Sequence, residues 1–297
     1  MDKIKIGYFA DGPWSHNALE KILNDEGLEV MFIVPRTDTK DETLRNYAYQ
    51  FHIDYLHPVN INSEDFINRA KAYNCDLFVS MSFNQIFKTE VINVPKLKTI
   101  NCHAGKLPFY RGRNILNWAL INDEKNFGIT VHYIDEGIDT GDIILQREFP
   151  ISDHDNYGSL LQIAYTECAN ILYDAIKLIQ NDQVKVIKQN TIHPVGSYCG
   201  KRGVNDEILN WHQNSRDIFN FIRAISFPGP KATTSLNEGQ IKINASKLIS
   251  DAISYKGKPG QILVKTANGY LVKTLDSFIE ILEIESDVKL KVGEVLK

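Results

Sequence analysis

Between residues 4 and 102, short blocks of apolar residues alternate with amphipathic stretches. The apolar blocks are four to six residues long, which is typical of buried strands, and they predict strands at 4–9, 30–34, 53–56, 76–80 and 99–102. The amphipathic stretches predict helices at 15–25, at 42–51 and from Ser63 onward. Strands that alternate with helices predict an α/β fold, a Rossmann-like and mostly parallel sheet with helices on both faces.

The pattern changes near residues 194–206, where Gly and Pro accumulate. We therefore predict one domain at 1–203 and a second at 204–297. The second should open with a helix at 215–224, with Ser215 as its N-cap residue. Four β-branched segments follow at 240–243, 260–265, 269–274 and 277–285, separated by Gly or Asn turns. They predict a small β-rich domain that is barrel-like, of the OB type.

Composition narrows the functional classes. With 33 Lys and Arg against 37 Asp and Glu, the formal net charge of −4 does not favour non-specific binding to nucleic acid. The four cysteines form no C-x-x-C pair, so we expect no metal site. Four cysteines in 297 residues are too few for a disulfide scaffold, which indicates a reducing, cytoplasmic location. No apolar run approaches membrane-spanning length. The G-x-G-x-x-G fingerprint of dinucleotide binding and the phosphate-binding P-loop are both missing from the sequence.

Two patterns carry candidate chemistry. Asn101 and His103 stand two residues apart at the end of a predicted parallel strand, so they point the same way at an edge where α/β folds bind ligands. Farther on, residues 128–143 run from a strand into an acidic, Gly-rich turn, in which Asp139 lies between Gly137 and Gly141. A strand-end histidine and an aspartate in such a turn are also common structural residues. Spacing alone thus predicts only an α/β enzyme that acts on a small substrate.

Together the motifs go further. N-x-H before L-P-x-Y-R-G, and then G-I-T-V-H-x-x-D-E-G-x-D-T-G-D-I-I, resemble the 10-formyltetrahydrofolate-dependent formyltransferase family. That family includes methionyl-tRNA formyltransferase and the N-formyltransferases of nucleotide-linked amino sugars. The resemblance extends over nearly the whole chain, through Pro228-Gly229 to the barrel element at 258–263. One departure is Gly105, because the family commonly carries Ser in H-x-S-x-L-P.

The resemblance implies transfer of a formyl group from 10-formyltetrahydrofolate to a primary amine, without a metal. Matched by motif, the catalytic trio is Asn101, His103 and Asp139. Asn101 and protonated His103 would donate hydrogen bonds to the tetrahedral oxyanion, and Asp139 would pair with His103 and relay the proton. The implied folate contacts are in the stretch after the fourth strand and in the acidic turn: Ser82, Phe83, Asn84, Ile86, Asp135, Gly137 and Asp139. Core positions for Phe83 and Ile86 remain the equal alternative.

The amine acceptor is the last question. In the tRNA-modifying enzymes the loop after the second strand is usually basic and contains glycine, whereas residues 35–42 here hold two bases, three acids and no glycine. We therefore expect a nucleotide-linked amino sugar of surface polysaccharide biosynthesis, such as O-antigen or lipopolysaccharide. Methionyl-tRNA formylation and a non-catalytic binding module stay as alternatives. Partners should be small molecules, without membrane or nucleic acid, and a homodimer is open. Candidate acceptor contacts are Trp14, Tyr110, Arg111, Gly112 and Arg113.

Overall fold

The structure is a computed structural model that describes residues 3–39 and 41–297. Its strands are β1 (Ile4–Ala10), β2 (Leu28–Val34), β3 (Asp54–Tyr55), β4 (Leu77–Met81), β5 (Thr99–His103), β6 (Arg111–Gly112), β7 (Asn126–Tyr133), β8 (Ile143–Pro150), β9 (Tyr198–Cys199), β10 (Ala232–Leu236), β11 (Gly239–Leu248), β12 (Ile262–Lys265), β13 (Gly269–Lys273) and β14 (Phe278–Ser286). Its helices are α1 (Gly12–Leu23), α2 (Glu42–Gln50), α3 (Glu64–Ala72), α4 (Thr89–Ile92), α5 (Ile115–Ile121), α6 (Tyr157–Gln180), α7 (Gln189–Ile192) and α8 (Ser215–Ala224).

The Cα positions form two compact units, and neither is continuous in sequence. The first comprises Met1–Gly112, Gly128–Phe149 and Gln162–Cys199. The second comprises Arg113–Phe127, Pro150–Leu161 and Gly200–Lys297. The boundary at residue 203 stays a prediction of the sequence.

The first unit contains a seven-stranded sheet in the order β3-β2-β1-β4-β5-β7-β8. The central strands β2, β1, β4 and β5 are parallel neighbours, while β7 runs antiparallel to β5. The residues of β4 are buried throughout, which explains why this strand is apolar on both faces. The prediction of a mostly parallel, Rossmann-like sheet is confirmed.

Two details of the helices differ from the expectation. The first helix begins at Gly12 rather than Ser15, because Asp11 is the N-cap residue and Pro13 suits the first turn of a helix. The long helix α6, with 24 residues, was assigned to no element from the sequence. Ser63, in contrast, caps α3 as its position suggests, because its hydroxyl accepts a hydrogen bond from the backbone N–H of Phe66.

Phenylalanine rings fill one side of the sheet in the first unit. The ring of Phe9 lies edge-on to several others, with centroid distances of 5.2 Å to Phe78 and 5.0 Å to Phe87. Such pairs contribute about 0.5–1.5 kcal/mol each beyond the area they bury. The rings belong to one buried core cluster, to which β1, β2 and β4 all contribute side chains.

The second unit contains a five-stranded antiparallel sheet in the order β10-β11-β14-β13-β12. A β-rich second unit was expected, although β10 was not assigned. The proposed cap was wrong by one residue, because Asn214 is the N-cap residue of α8. The Ser215 hydroxyl instead lies 2.8 Å from the hydroxyl of Thr274 and donates to Asp276 at 3.0 Å. It therefore fastens the helix to the end of β13.

An ionised carboxylate fastens α6 to the turn after α1. Asp25 accepts hydrogen bonds from the Lys177 ammonium at 2.8 Å and from the Tyr173 hydroxyl at 2.6 Å. The Lys177 and Tyr173 bonds, with a smaller contribution from the backbone N–H of Gly27, lower the pKa of Asp25 to about 2. The folded state therefore binds this proton more weakly than the unfolded chain does.

We predict that Asp25→Asn lowers the free energy of unfolding at pH 7 by roughly 1 kcal/mol, after allowance for solvent screening. Because the pKa is lowered on folding, this loss is complete above about pH 4 and fades as the pH falls through about 2. Urea unfolding at pH 7, 4 and 2.5 measures it. The exposed neighbour Glu26 supplies the control Glu26→Gln, which should change little. An Asp25→Asn loss that is the same at every pH would contradict the ionic origin.

Candidate active site

The sheet brings the predicted trio together in the first unit. Asn101 and His103 end β5, and Asp139 lies in the loop between β7 and β8. The Nδ1 atom of His103 is 3.6 Å from a carboxylate oxygen of Asp139, and both side chains are largely buried. Two residues that are 36 positions apart in the sequence are thus neighbours in the fold.

The other ring nitrogen of His103 faces a backbone carbonyl. Its Nε2 lies 2.7 Å from the carbonyl oxygen of Tyr110, and because a carbonyl only accepts, Nε2 carries the hydrogen. Gly105 makes this contact feasible, since a Cβ at that position would lie 2.4 Å from Nε2 and 2.5 Å from the Tyr110 oxygen. The position where the family commonly carries Ser has no room for a side chain in this arrangement.

The backbone and side chain of Asp139 are both constrained. Its φ of 55° lies in the left-handed region, which a residue with a side chain enters at an energetic cost. Its carboxylate accepts a hydrogen bond of 2.8 Å from the backbone N–H of Gly112. Burial raises the pKa of Asp139, but the neighbouring His103 and His132 and the Gly112 N–H outweigh that effect, so its pKa lies well below its usual value. The group is therefore ionised at neutral pH.

His132 is a member of the site that sequence reasoning did not select. It lies on β7 directly opposite Asn101 on β5. Its Nε2 is 3.3 Å from the amide nitrogen of Asn101 and 3.5 Å from a carboxylate oxygen of Asp139. Its Nδ1 donates to the carbonyl of Tyr133 at 2.8 Å. Nε2 can therefore accept from Asn101 when the ring is neutral and carries a hydrogen toward Asp139 when the ring is protonated. The signal was the histidine in G-I-T-V-H, which becomes informative once β7 is paired with β5.

The predicted folate contacts after β4 differ in their surroundings. The ring of Phe83 packs on the phenylalanine cluster, 5.7 Å from Phe9, whereas Ile86 is 62% exposed. Ser82 has a positive φ of 56°, which turns the chain away from the strand. The side-chain oxygen of Asn84 and the side-chain nitrogen of Gln85 are buried without a hydrogen-bond partner in the described part of the chain. Because buried polar atoms are normally satisfied, these two fit a bound molecule.

The acidic turn is shaped by its own hydrogen bonds. Asp135 accepts from the backbone N–H of Gly137 at 3.1 Å and from the hydroxyl of Thr140. A cavity of about 380 Å³ lies on one side of the turn, with Thr140 and Asp142 in its lining, and a second of about 350 Å³ is lined by Asp135 and Glu136 among others. Asp135 thus lines a cavity, whereas Gly137 lines neither of the two, and their contact with folate stays a prediction.

The predicted acceptor contacts are mostly engaged within the chain. Trp14 packs edge-on against Tyr165 at a centroid distance of 4.9 Å. Tyr110 and Gly112 offer their backbones to His103 and Asp139. The Arg111 guanidinium is buried among protein partners.

Arg113 belongs to the second unit and is exposed. Whether any of these five residues also meets the acceptor stays a prediction. Over residues 3–39 and 41–297, no group of three His, Cys, Asp or Glu residues has a metal-holding arrangement. Across the same residues, none of the helices combines the length and the apolar character that crossing a membrane demands.

Two protein-family profiles match most of this chain. Residues 10–176 match the profile described as formyl transferase, and residues 203–294 match its C-terminal domain. A methionyl-tRNA formyltransferase of Clostridioides difficile is 31% identical over 94% of this chain and 92% of its own length. One of Syntrophomonas wolfei is 33% identical over 82% of this chain and 76% of its own.

Solved structures are similar over the whole length. WlaRD, described as a sugar 3N-formyl transferase in the presence of dTDP and 5-N-formyl-THF, has a TM-score of 0.72 at 26% identity and covers 98% of this chain and 100% of its own. An N-formyltransferase of Helicobacter canadensis, in complex with folinic acid and dTDP-3-aminofucose, has a TM-score of 0.70 at 25% identity and covers 96% and 100%.

Proposed function

The chain belongs to the formyl transferase family, and from this premise we propose that it transfers the formyl group of 10-formyltetrahydrofolate to the primary amine of a nucleotide-linked amino sugar. Membership of this family supports formyl transfer as the reaction. The choice of a sugar acceptor depends on one observation, the pairing of Arg36 with Asp38 in the loop after β2.

The formyl donor fits the polar atoms after β4. A pterin ring has hydrogen-bond donors and acceptors along one edge, and the unpartnered oxygen of Asn84 and nitrogen of Gln85 offer one of each. Both similar sugar formyltransferases were solved with a formylated folate. We therefore assign the folate to the segment after β4 and the neighbouring acidic turn.

In the proposed reaction, the amine nitrogen attacks the formyl carbon, and a C–N bond forms. The tetrahedral intermediate carries an oxyanion, to which Asn101 donates a hydrogen bond from its amide. The bond between the formyl carbon and N10 of the folate then breaks, and the proton lost by the amine passes to N10. The low pKa of Asp139 makes this carboxylate a weak base, so its task is to pair with positively charged His103 while His103 transfers the proton. A role for Nε2 of His103 requires the substrate to displace the Tyr110 carbonyl.

The loop after β2 favours a sugar over RNA. The guanidinium of Arg36 makes a bidentate contact with Asp38, at 2.9 and 2.7 Å, so its charge is already neutralised. The other base of this segment, Lys40, lies outside the described residues, while Asp41 and Glu42 add negative charge. Affinity for RNA depends on cations that meet phosphates. The described part of this loop therefore presents no unpaired base to a phosphate.

Methionyl-tRNA formylation is the second candidate. It is favoured by the relatives of that name, which are 31% and 33% identical to this chain. Both candidates share the formyl donor and the trio, so the acceptor alone separates them.

The test offers both acceptors to the purified protein with 10-formyltetrahydrofolate at one salt concentration. We expect at least one member of a panel of nucleotide-linked amino sugars, which includes dTDP-3-aminofucose, to be formylated. We expect no formylation of methionyl-tRNA. The apparent KM for the sugar should change little between about 50 and 200 mM salt, since only two phosphates are contacted. Efficient formylation of the tRNA alone would make the acceptor assignment wrong, and no transfer to either would favour a binding module.

A further inference from the structure

Gln189 lies at the start of α7, outside both sequence motifs, and only 4% of it is exposed. Its amide nitrogen donates hydrogen bonds of 2.8 Å to the carbonyl oxygens of Asp139 and Gly141. These are the backbone groups of the turn that carries the catalytic carboxylate. The buried amide of Gln189 thus binds this turn through two hydrogen bonds, from a segment 50 residues farther along the chain.

The other end of the amide is fixed by Arg111. The Gln189 oxygen accepts from Nε of Arg111 at 3.1 Å and from a terminal guanidinium nitrogen at 2.6 Å. Because a guanidinium only donates and a carbonyl only accepts, the orientation of the amide is determined by its partners. The amide of Gln189 therefore cannot rotate without breaking bonds at both ends.

Arg111 is itself held on several sides. Its guanidinium donates to the carbonyl of Val195 at 3.4 Å and to the hydroxyl of Tyr198 at 3.3 Å, and lies 5.3 Å from the centre of the Tyr198 ring. The backbone beside it is paired, with Arg111 opposite Tyr198 in the β6–β9 ladder. Gly196 is close enough that a Cβ would lie 3.0 Å from the guanidinium. These contacts give Gln189 a rigid support.

The turn needs such a support. Asp139 has a left-handed backbone that is unfavourable for a residue with a side chain, so the turn would relax if it were not held. Its carboxylate meets His103 and the Gly112 N–H only while the backbone keeps this conformation.

We propose that Gln189, fixed by Arg111, is a positioning residue that holds the backbone of Asp139 so that its carboxylate faces His103. The inference rests on the proposed function, because it takes Asp139 as the catalytic carboxylate. Arg111 accordingly acts through Gln189 on the site, which is a different task from the acceptor contact predicted from the sequence.

Gln189→Glu is the sharpest test. A carboxylate keeps the acceptor for Arg111 but cannot donate to the carbonyls of Asp139 and Gly141, so the grip on the turn is lost while Arg111 stays paired. We expect kcat to fall by about 10- to 100-fold, the effect of misplacing a catalytic group by about 1 Å, with little change in KM. Gln189→Met, which removes both contacts, should have the same effect or a larger one. If Gln189→Met does not fold, Gln189→Glu still decides.

A readout independent of turnover separates this inference from the proposed function. The 13C NMR signal of the Asp139 carboxyl, assigned with Asp139→Asn, should titrate at higher pH in Gln189→Met as well as in Gln189→Glu, because the carboxylate loses its partners. The Met variant adds no negative charge that could itself raise the pKa of Asp139. That measurement needs no acceptor. If the wild-type protein formylates neither acceptor, the proposed function fails, yet the titration still tests Gln189.

Gln180 supplies the matched control, since its amide also donates to a backbone carbonyl, that of Gly27 at 3.0 Å. Gln180→Met should leave kcat and the Asp139 titration unchanged. The proposal is overturned if Gln189→Glu keeps wild-type kcat. It is equally overturned if kcat falls while the Asp139 carboxyl titrates as in the wild type. The lower kcat would then come from a general loss of folded enzyme and not from displacement of the Asp139 carboxylate.

Discussion

Replacing Asp139 with asparagine should lower kcat at least about a hundredfold and leave the fold intact. Asparagine has the same shape and keeps an oxygen for the backbone N–H of Gly112. It removes the negative charge that lies 3.6 Å from His103 and 3.5 Å from His132. A histidine that gains a proton during the reaction then has no counter-charge in a buried site. His103→Ala should cause a loss of similar size.

The pH dependence sharpens this prediction. Because the pKa of Asp139 lies well below its usual value, the wild-type group stays ionised above about pH 4. The loss of turnover in Asp139→Asn should therefore persist at every pH between 5 and 9, as measured from initial rates at saturating substrates. Asp142→Asn, in the same turn, is the control and should keep kcat. Wild-type turnover in Asp139→Asn would remove this residue from the site.

Local sequence spacing was enough to predict part of the site. Asn101 and His103 are two residues apart on a strand, and a period of two puts them on one face whatever the sheet does around them. His132 could not be found in this way. Its place beside Asn101 depends on the antiparallel register of β7 with β5, which the sequence of neither strand specifies.

Gln189 illustrates a stronger limit. Its segment has no periodic pattern, and the partners of its amide nitrogen are two carbonyl groups that belong to the backbone rather than to any residue type. The chain folds back over 50 positions to make the contact. The fold has the same limit. The short apolar blocks predicted strands β1, β2 and β4, but which strands are neighbours in the sheet depends on long-range pairing that the local pattern does not specify.

Asn101→Ala should also lower kcat by about a hundredfold, with a much smaller change in KM. The amide nitrogen of Asn101 lies 3.3 Å from Nε2 of His132, which is a long contact. A formyl oxygen that becomes an oxyanion is a far stronger acceptor, so the hydrogen bond gains strength as the tetrahedral state forms. An interaction of this kind contributes to kcat and little to substrate binding.

The contrasting variant is Asn84→Ala, which removes an unpartnered buried oxygen assigned to the folate. It should raise KM for 10-formyltetrahydrofolate more than it lowers kcat. Steady-state kinetics of both variants, with each substrate varied in turn, separate the two effects. If Asn101→Ala raised KM and kept kcat, Asn101 would bind the ground state and not the oxyanion.

Combining Asn101→Ala with Asp139→Asn should lower kcat by less than the product of the two single losses, since both residues contact His132 and serve one transition state.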